Sequence, residues 1–311
     1  MTKNVSVVIL ARNEEDKIKD CIISIKNSSY KNLEIILIDS FSNDNTIKVA
    51  KKIRGVSIYK MDAASIGAAL KSGINLAKGE LVFIVNGDST VSREFISEAV
   101  KLFDNPDIAV VSGKRVEKNQ DSLIGRMYTQ RFKNDKFGFV SKVSGNYMFR
   151  KNVILKYTEL DETVTAAEEH YISLKVTKEG YKIYRINKVS MYHNSKGDSS
   201  SILDLIKKHN WYAIGKRNVF NKLSFSEKIS FFDQDFFLTP WILASVIAGF
   251  YNTILISMVI LPFLLMTIMM LIKGYSLDIA VTESVLAYFR SISLYFSSNA
   301  ASNKVKIEKI I

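Results

Sequence analysis

The sequence predicts an α/β fold: a doubly wound, mostly parallel sheet with helices on both faces, followed by membrane helices at the C-terminus. Two observations predict this arrangement. Strand-like and helix-like apolar patterns alternate three times in roughly the first ninety residues, which is typical of a doubly wound sheet. Residues 236–272 then contain no charged side chain. We therefore divide the chain into an N-terminal domain (1–230) and a membrane-attachment region (231–311).

The first two strands are short apolar runs that end at polar residues. Val5 to Leu10 predicts a buried strand, and Asn13 with the acids after it predicts the N-cap and first turn of a helix. Leu33 to Ile38 predicts the second strand, which ends at Asp39. Further helices are predicted over 42–53, 66–77, 93–103 and 168–179, and further strands over 56–60, 81–85, 108–112, 182–186 and 189–192.

The most informative stretch is the apolar run 81–85, which leads directly into Asn86-Gly87-Asp88. An uninterrupted apolar run is typical of a central strand in a sheet that is covered on both faces. Ligands of such sheets bind beyond the carboxyl ends of the strands, which is where Asp88 is expected. An aspartate next to glycine is also ordinary turn chemistry, so Asp88 alone does not decide between a ligand and a turn residue.

Charge and cysteine content limit the class of protein. The formal net charge is +12, from 43 basic and 31 acidic residues. No helix-turn-helix, zinc-ligand or RNA-binding pattern accompanies it, so we predict no nucleic-acid partner and assign much of the excess to an anionic membrane surface. The single Cys21 excludes an internal disulfide, and the N-terminus lacks the layout of a signal peptide. We expect the N-terminal domain to face the cytoplasm at the cell membrane.

The charge-free stretch exceeds the roughly 20 residues that one transmembrane helix needs. We predict a hairpin of two short crossings that turns near Asn252; one long crossing with an interfacial segment is the alternative. Residues 279–298 contain Glu283 and Arg290 and predict an amphipathic helix. His209 to Arg217 predicts either an acceptor-side lid or an interfacial aromatic-basic helix, and we favour the interfacial alternative for Trp211 and Tyr212.

Taken together, these patterns resemble the family-2 inverting glycosyltransferases of the GT-A fold, over about residues 4–195. Five elements in the right order carry the resemblance: Val5 to Glu15, Ile35 to Thr46, Asn86-Gly87-Asp88, Glu168-Glu169 with the helix after them, and Val189 to His193. The C-terminal membrane region is similar to that of members that act on lipid-associated acceptors.

The resemblance implies a nucleotide-sugar donor and a divalent cation, Mg²⁺ or Mn²⁺. Asp88 and His193 match the metal-binding positions, since a cation neutralises the charge that builds on the departing diphosphate. Asn86 departs from the family pattern, which has an acid there. The helix over 66–77 also departs, with Leu70 and Lys71 where the family often has Arg and Asn. The positions that match donor-binding residues are Ala11, Asn13, Glu14, Asp39, Lys71, Asn86 and Gly87.

Inverting transfer needs a base that takes a proton from the attacking hydroxyl. By resemblance, Glu169 is that base and Glu168 has a structural or orienting role, although acids in the first turn of a helix are also favoured by the helix dipole. The acceptor implied is a lipid-linked glycan or a polysaccharide at the cytoplasmic membrane face. A polyprenyl phosphate acceptor and a non-catalytic binding or scaffold protein are the alternatives. The sequence does not predict the oligomeric state.

Overall fold

The structure is a computed structural model that describes residues 3–157, 161, 163–195, 202–251, 253–297 and 305–311. In these residues a ten-stranded mixed sheet has the order β10-β3-β2-β1-β4-β8-β6-β9-β5, with β7 also paired to β9. The strands are β1 Val5–Ala11, β2 Leu33–Asp39, β3 Ser57–Met61, β4 Leu81–Asn86, β5 Ser89–Val91, β6 Ile108–Glu117, β7 Gly138–Val140, β8 Tyr147–Arg150, β9 Lys182–His193 and β10 Ile307–Lys309.

The helices lie between and after these strands. They are α1 Ile18–Lys26, α2 Thr46–Ala50, α3 Ile66–Leu76, α4 Phe95–Leu102, α5 Leu123–Lys133, α6 Lys151–Ile154, α7 Glu168–Lys178, α8 Ile202–Asn221, α9 Phe225–Phe231, α10 Gln234–Tyr251, α11 Leu261–Ile272 and α12 Leu277–Phe296. A 3-10 helix, Thr253–Val259, joins α10 to α11.

The first half of the sheet is parallel, as predicted. β3, β2, β1 and β4 lie side by side in parallel register, and all seven residues of β1 are buried. Alternate side chains of β1 enter different cores. Val8 and Leu10 join an apolar cluster with α3 and α7, whereas Val7 and Ile9 join one with α1 and α4. The sheet is therefore covered by helices on both faces, which is why its strands are apolar on both sides.

The second half corrects the prediction of a mostly parallel sheet. β8 is antiparallel to both β4 and β6, and β5 and β7 are antiparallel to β9. β9 is also continuous from Lys182 to His193, where two strands were predicted, because an irregular register with β6 takes up the interruption. Four-residue strands such as β8 are too short for periodicity to distinguish them from loops.

The N-cap prediction at Asn13 is wrong. α1 begins at Ile18 with Lys17 as its cap, and Asn13 has a left-handed φ of 57° in a turn before the helix. The Asn13 side chain instead accepts a hydrogen bond from the backbone N–H of Asn43 (2.9 Å). This contact fastens the turn after β1 to the loop after β2, so the polar residues at the ends of both strands lie at one edge of the sheet.

The C-terminal region differs from the expected membrane hairpin. None of the described helices is both long and apolar enough to cross a bilayer, so a transmembrane hairpin over 236–272 is not supported. The stretch divides into α10, the 3-10 helix and α11, of which α11 has only 12 residues. The expected turn at Asn252 and the end of the helix predicted over 279–298 lie outside the described residues, whereas most of that helix is present as α12.

The C-terminal region also contributes to the sheet and to the site. β10 pairs antiparallel with β3, so the chain returns to one edge of the main sheet. α12 packs on α8 and α10, and its Arg290 lies 3.3 Å from Asp235 at the start of α10. The region predicted as an attachment segment therefore forms part of the wall around the functional cavities.

Candidate active site

The turn after β4 places Asp88 beyond the end of the sheet. Gly87 N–H donates to the carbonyl of Leu10 on β1 (2.9 Å), which joins the ends of the two central strands. A Cβ added at Gly87 would lie 3.0 Å from Ala11 Cβ, so the close approach of the two strand ends favours glycine. Ala11 and Gly87 therefore shape the turn, and Asp88 follows it.

Asp88 has one oxygen engaged and one available. Its Oδ2 lies 3.3 Å from Nε2 of His193, whereas the buried Oδ1 has no hydrogen-bond partner among the described residues. Burial raises the pKa of Asp88, but the hydrogen bond and positive charge of His193 outweigh it, so the pKa lies below its ordinary value. Asp88 is therefore ionised at neutral pH and has a free oxygen for a ligand.

His193 is held between two carboxylates. Its Nδ1 donates to Oε2 of Glu117 (2.6 Å), and Glu117 Oε1 accepts from the backbone N–H groups of Asn119 (2.7 Å) and Ser195 (3.1 Å). Burial lowers the pKa of His193, but the hydrogen bonds to Asp88 and Glu117 raise it to about 10. Glu117 was not predicted from the sequence, because it lies at the end of β6, well beyond the five residues predicted for that strand.

These groups fit a divalent cation that is shared with a phosphate ligand. Asp88 offers a carboxylate oxygen. His193 is protonated in this arrangement, so its Nε2 can bind a cation only after it loses its proton, and Glu117 is placed to orient the ring. Within the described residues, no group of three or more His, Cys, Asp or Glu side chains is arranged to hold a metal ion. Mg²⁺ or Mn²⁺ would therefore take its other ligands from water and from diphosphate oxygens, as is usual for Mg²⁺.

A cavity of about 590 Å³ opens beside Asp88. Asn13 and Glu14, both predicted donor-binding residues, lie in its wall, and α8 contributes Lys208 and Trp211. Trp211 therefore lies at this cavity, and its interfacial position stays a prediction. The cavity is open, and its wall has five acids against three cations: Glu14, Glu15, Asp16, Asp44 and Asp88 against Arg12, Lys17 and Lys208. A nucleotide diphosphate would therefore need a divalent cation to balance its charge there.

Three other predicted donor residues do not line this cavity. Asp39 is fully buried, with Oδ1 accepting from the backbone N–H of Ser42 (3.0 Å) and Oδ2 without a partner among the described residues. Asn86 donates its backbone N–H to Oδ1 of Asn146 (3.2 Å). Lys71 lies exposed on α3. Donor contacts by Asp39, Asn86 and Lys71 stay predictions.

Glu169 faces a second cavity, of about 370 Å³. It lies in the first turn of α7, which starts after Ala167, a non-glycine residue with a left-handed φ of 65°. α8 presses closely on the residues before that turn: a Cβ added at Gly215 would lie 2.4 Å from the backbone N of Ala166. Gly215 therefore lets α8 form one wall of the cavity, and Tyr212 lies in that wall.

The two acids of α7 occupy different environments. Glu168 is buried, and burial together with the charge of Glu169 raises its pKa well above the ordinary value. Burial also raises the pKa of Glu169, while a backbone hydrogen bond and the cations Lys142 and Arg115 act in the opposite direction. Glu168 is therefore an interior group, and Glu169 is a carboxylate at the cavity with increased basicity. The roles of Glu168 and Glu169 stay predictions.

A chain of alternating charges forms the far wall of the Glu169 cavity. Arg131 on α5 pairs with Glu283 on α12 (3.0 Å), Arg290 pairs with Asp235 (3.3 Å), and Asp235 pairs with Lys216 on α8 (2.9 Å). These partly buried pairs connect α5, α8, α10 and α12. In the sequence, these ion pairs were indicated by Glu283 and Arg290, two charged residues in an otherwise apolar region.

The cavities of Asp88 and Glu169 adjoin at Lys208, which lines both. Lys208 Nζ donates to the hydroxyl of Tyr128 (3.2 Å), and the Tyr128 ring packs edge-on against His193 with centroids 4.8 Å apart. The structure thus brings Asp88 and Glu169 to neighbouring cavities, with His193 against Asp88.

Solved structures share this fold. A mannosyltransferase from Pyrobaculum calidifontis, in complex with GDP-mannose and Mn²⁺, aligns with a TM-score of 0.62 at 15% identity over 95% of this chain and 88% of that chain. Residues 1–349 of TarS from S. aureus align with a TM-score of 0.53 at 16% identity over 98% and 96%. Together with the mixed sheet and its helices, these likenesses define a GT-A-like α/β fold.

The sequence comparisons give the family. The model of glycosyl transferase family 2 matches residues 6–168, which is more than half of the 311-residue chain, and the chain belongs to that family. A relative from Methanococcus voltae, a dolichyl N-acetyl-α-D-glucosaminyl phosphate 3-β-D-2,3-diacetamido-2,3-dideoxy-β-D-glucuronosyltransferase, is 26% identical over 86% of this chain and 88% of its own length. A poly-β-1,6-N-acetyl-D-glucosamine synthase from Staphylococcus aureus (strain MSSA476) is 24% identical over 58% of this chain but only 47% of its own length.

Proposed function

We propose that the protein is an inverting, metal-dependent glycosyltransferase that moves a sugar from a nucleotide-diphosphate donor to a lipid-linked or polysaccharide acceptor at the cytoplasmic face of the cell membrane. One observation carries the proposal: Asp88, with a free buried oxygen and His193 beside it, lies at a cavity that adjoins the cavity of Glu169. In a sugar transfer, the donor diphosphate and the base that activates the acceptor lie on opposite sides of the sugar, and two adjoining cavities allow that arrangement.

Each group has a distinct task in the transfer. Asp88 and His193 would hold Mg²⁺ or Mn²⁺, which neutralises charge on the leaving diphosphate when bound. Lys208 is placed to contact the donor between the cavities. Glu169 would accept the proton of the attacking acceptor hydroxyl, and its raised pKa favours that proton transfer as long as the carboxylate is ionised.

The name of the archaeal relative supports a lipid-linked acceptor, since it contains dolichyl N-acetyl-α-D-glucosaminyl phosphate. The name of the bacterial synthase supports a polysaccharide, but this chain spans less than half of that protein. The relation of the two cavities suits either acceptor, because in both the nucleophile is a sugar hydroxyl that needs a base.

Membrane attachment is part of the proposal. Residues 236–272 carry no charge, and large apolar side chains are exposed along them: Phe250 (86%), Tyr251 (89%) and Ile272 (80%) are the extreme cases. Lys273 follows directly. Exposed apolar groups next to basic residues suit an interfacial position on anionic lipid. Co-sedimentation of the full chain with anionic rather than neutral vesicles tests this part.

The donor half is tested by release of nucleotide diphosphate from a panel of nucleotide sugars with Mn²⁺. Asp88→Asn is expected to reduce release by at least about 100-fold, because the direct metal ligand loses its charge. Glu94→Gln, on an exposed acid of the surface, is the matched control and should leave release unchanged. If no donor is turned over or bound in a metal-dependent manner, the protein is a scaffold and the proposal is wrong.

The acceptor half is tested with Glu169→Gln. Transfer to a sugar hydroxyl is expected to fall by about 10²–10⁴-fold, the range for loss of a general base. Transfer to a polyprenyl phosphate would fall only weakly, since that nucleophile is already largely ionised at neutral pH. A small effect on a hydroxyl acceptor would remove Glu169 from the catalytic role, even if the donor results hold.

A further inference from the structure

A third cavity adjoins the Glu169 cavity. It measures about 270 Å³ and shares Arg131, Glu283 and Arg290 with the Glu169 cavity. Its other wall comes from α11 and the residues after it. We call this cavity the methionine groove, defined by Arg131, Met266, Met269, Met270, Lys273 and Glu283 with their neighbours.

The α11 wall of the groove is apolar and open to the outside. Met266 is buried beneath it, whereas Met269 is 50% exposed. Methionine side chains are flexible and polarisable, so they adapt to chains of irregular shape. The wall continues into the exposed apolar face of α11, which includes Ile268, also 50% exposed. A hydrocarbon chain could therefore pass from this face into the groove without meeting a charge.

The inner end of the groove is cationic. Arg131 is half exposed there and pairs with Glu283. Lys273 caps α11 and forms no ion pair within the described part of the chain. Arg290 also lines the groove, but it pairs with Asp235 (3.3 Å) and lies 3.7 Å from Glu283, so three cations meet two acids and Lys273 supplies the unbalanced positive charge. Guanidinium and ammonium groups together suit a phosphate or diphosphate group, which accepts hydrogen bonds from several donors.

We propose that the methionine groove binds the prenyl phosphate part of a lipid-linked acceptor. The phosphate lies against Arg131 and Lys273, the hydrocarbon chain follows Met269, and the attached sugar enters the Glu169 cavity through their shared wall. The last step rests on the proposed function, whereas binding of the lipid phosphate does not. The adjacency of an apolar strip and a cationic end selects an amphipathic phosphate over a free phosphate or a neutral lipid.

The test measures binding of geranylgeranyl phosphate to the full chain in a neutral detergent by calorimetry, with no donor present. Two variants change the groove: Met269→Gln in its apolar wall and Lys273→Gln at its cationic end. Each has a matched control. Ile229→Gln alters an exposed apolar residue of α9 that does not line the groove, and Lys133→Gln removes an exposed charge on α5 close to Arg131.

We expect saturable binding of geranylgeranyl phosphate, weakened about fivefold or more by each groove variant and unchanged in each control. Inorganic phosphate and geranylgeraniol should each bind at least tenfold more weakly, because each offers only half of the contacts. The proposal is overturned if geranylgeranyl phosphate does not bind, if the controls lose as much affinity as the groove variants, or if inorganic phosphate binds equally well.

Failure of this inference and failure of the proposed function are distinguishable. Donor turnover with intact Asp88 and no binding of geranylgeranyl phosphate would leave a glycosyltransferase whose acceptor is not a prenyl lipid. Specific binding of geranylgeranyl phosphate without metal-dependent donor turnover would support the groove and contradict the proposed transfer.

Discussion

Glu117 and His193 lie opposite each other at the ends of the parallel strands β6 and β9, with Oε2 and Nδ1 2.6 Å apart. The other oxygen of Glu117 is occupied by the backbone N–H groups of Asn119 and Ser195. The carboxylate is therefore fixed, and it fixes the imidazole so that Nε2 points at Asp88. A buried carboxylate behind a histidine is the arrangement that orients metal-binding imidazoles in proteins.

Glu117→Gln should weaken metal activation without removing the metal ligands. The neutral amide would orient His193 less strongly, and such changes typically cost 10- to 100-fold in metal affinity. We expect the Mn²⁺ concentration for half-maximal release of nucleotide diphosphate to rise by about that factor. Glu98→Gln, on an exposed acid of α4, is the control. An unchanged Mn²⁺ requirement in Glu117→Gln would show that His193 is not a metal ligand.

Lys142 should set the pH dependence of transfer through Glu169. Lys142 Nζ donates to Nδ1 of His170 (3.2 Å), whose pKa is lowered to about 3 by burial and by the nearby cations, so His170 is neutral. The charge of Lys142 therefore acts on Glu169, and it lowers the pKa of that carboxyl. Without this charge, burial would raise the pKa of Glu169 further.

The sign of the pH effect follows from the role of a base. Glu169 must be ionised, so activity falls as pH decreases through its pKa, which already lies above the ordinary value. Lys142→Met should raise that pKa and move the acidic limb of the profile of kcat against pH to higher pH. Lys133→Met, outside the cavity, should not move it. A limb that shifts to lower pH in Lys142→Met would contradict the assignment of Glu169.

The sequence predicted the part of the molecule where local pattern and tertiary environment agree. The runs at Val5 to Leu10 and at 81–85 are central strands because the sheet is covered on both faces, and apolar runs report that burial directly. The Asn86-Gly87-Asp88 turn follows from the strand end. Glu168 and Glu169 were singled out by the family resemblance, and α7 begins at Glu168 as predicted.

The parts that were not predicted depend on contacts between distant segments. Glu117 contacts His193 because β6 pairs with β9, and no local sequence pattern predicts that pairing. Asn13 looked like an N-cap but takes a left-handed turn, because the loop at Asn43 and Ser42 supplies its hydrogen bonds. The charge-free stretch has the composition of a membrane span, but it is divided into α10, a 3-10 helix and α11, and none of these described helices is both long and apolar enough to cross a bilayer.

Glu227 should stabilise the contact between α7 and α9 in a pH-dependent way. It is buried, forms a capping box with Ser224, and pairs with Lys175 (3.1 Å). Burial raises its pKa, but the bonds from Ser224 and Lys175 outweigh burial and lower it to about 2. A depressed folded-state pKa contributes stability above the unfolded pKa of about 4.3, and this contribution is lost as pH falls toward 2.

Glu227→Gln is therefore expected to lower the free energy of unfolding at pH 7 by about 1–3 kcal/mol, since it also leaves Lys175 without its partner. The difference from the wild type should shrink between pH 5 and pH 3. Urea unfolding followed by tryptophan fluorescence at several pH values measures both effects. A difference that stays constant down to pH 3 would mean that capping geometry, and not the charge of Glu227, carries the stabilisation.

Gly215→Ala should push α8 away from the residues that precede α7. The added Cβ would lie 2.4 Å from the backbone N of Ala166 and 2.7 Å from Oγ1 of Thr165. A clash with backbone is not relieved by a rotamer change, so α8 must move outward with the cavity residues Lys208 and Tyr212. We expect a loss of about 1–3 kcal/mol in the free energy of unfolding.

The same displacement of α8 should reduce kcat more than it weakens metal binding, because Asp88 and His193 are held by strands and not by α8. Gly249→Ala on α10 is the control, since its Cβ would lie 3.2 Å from the side chain of Ile256 and 3.6 Å from the backbone of Ile256, and the latter distance is an ordinary contact. Thermal unfolding and Mn²⁺-dependent turnover are measured on both variants. If Gly215→Ala matches Gly249→Ala in both, the wall of the Glu169 cavity does not depend on the close approach of α8, and the base is positioned by α7 alone.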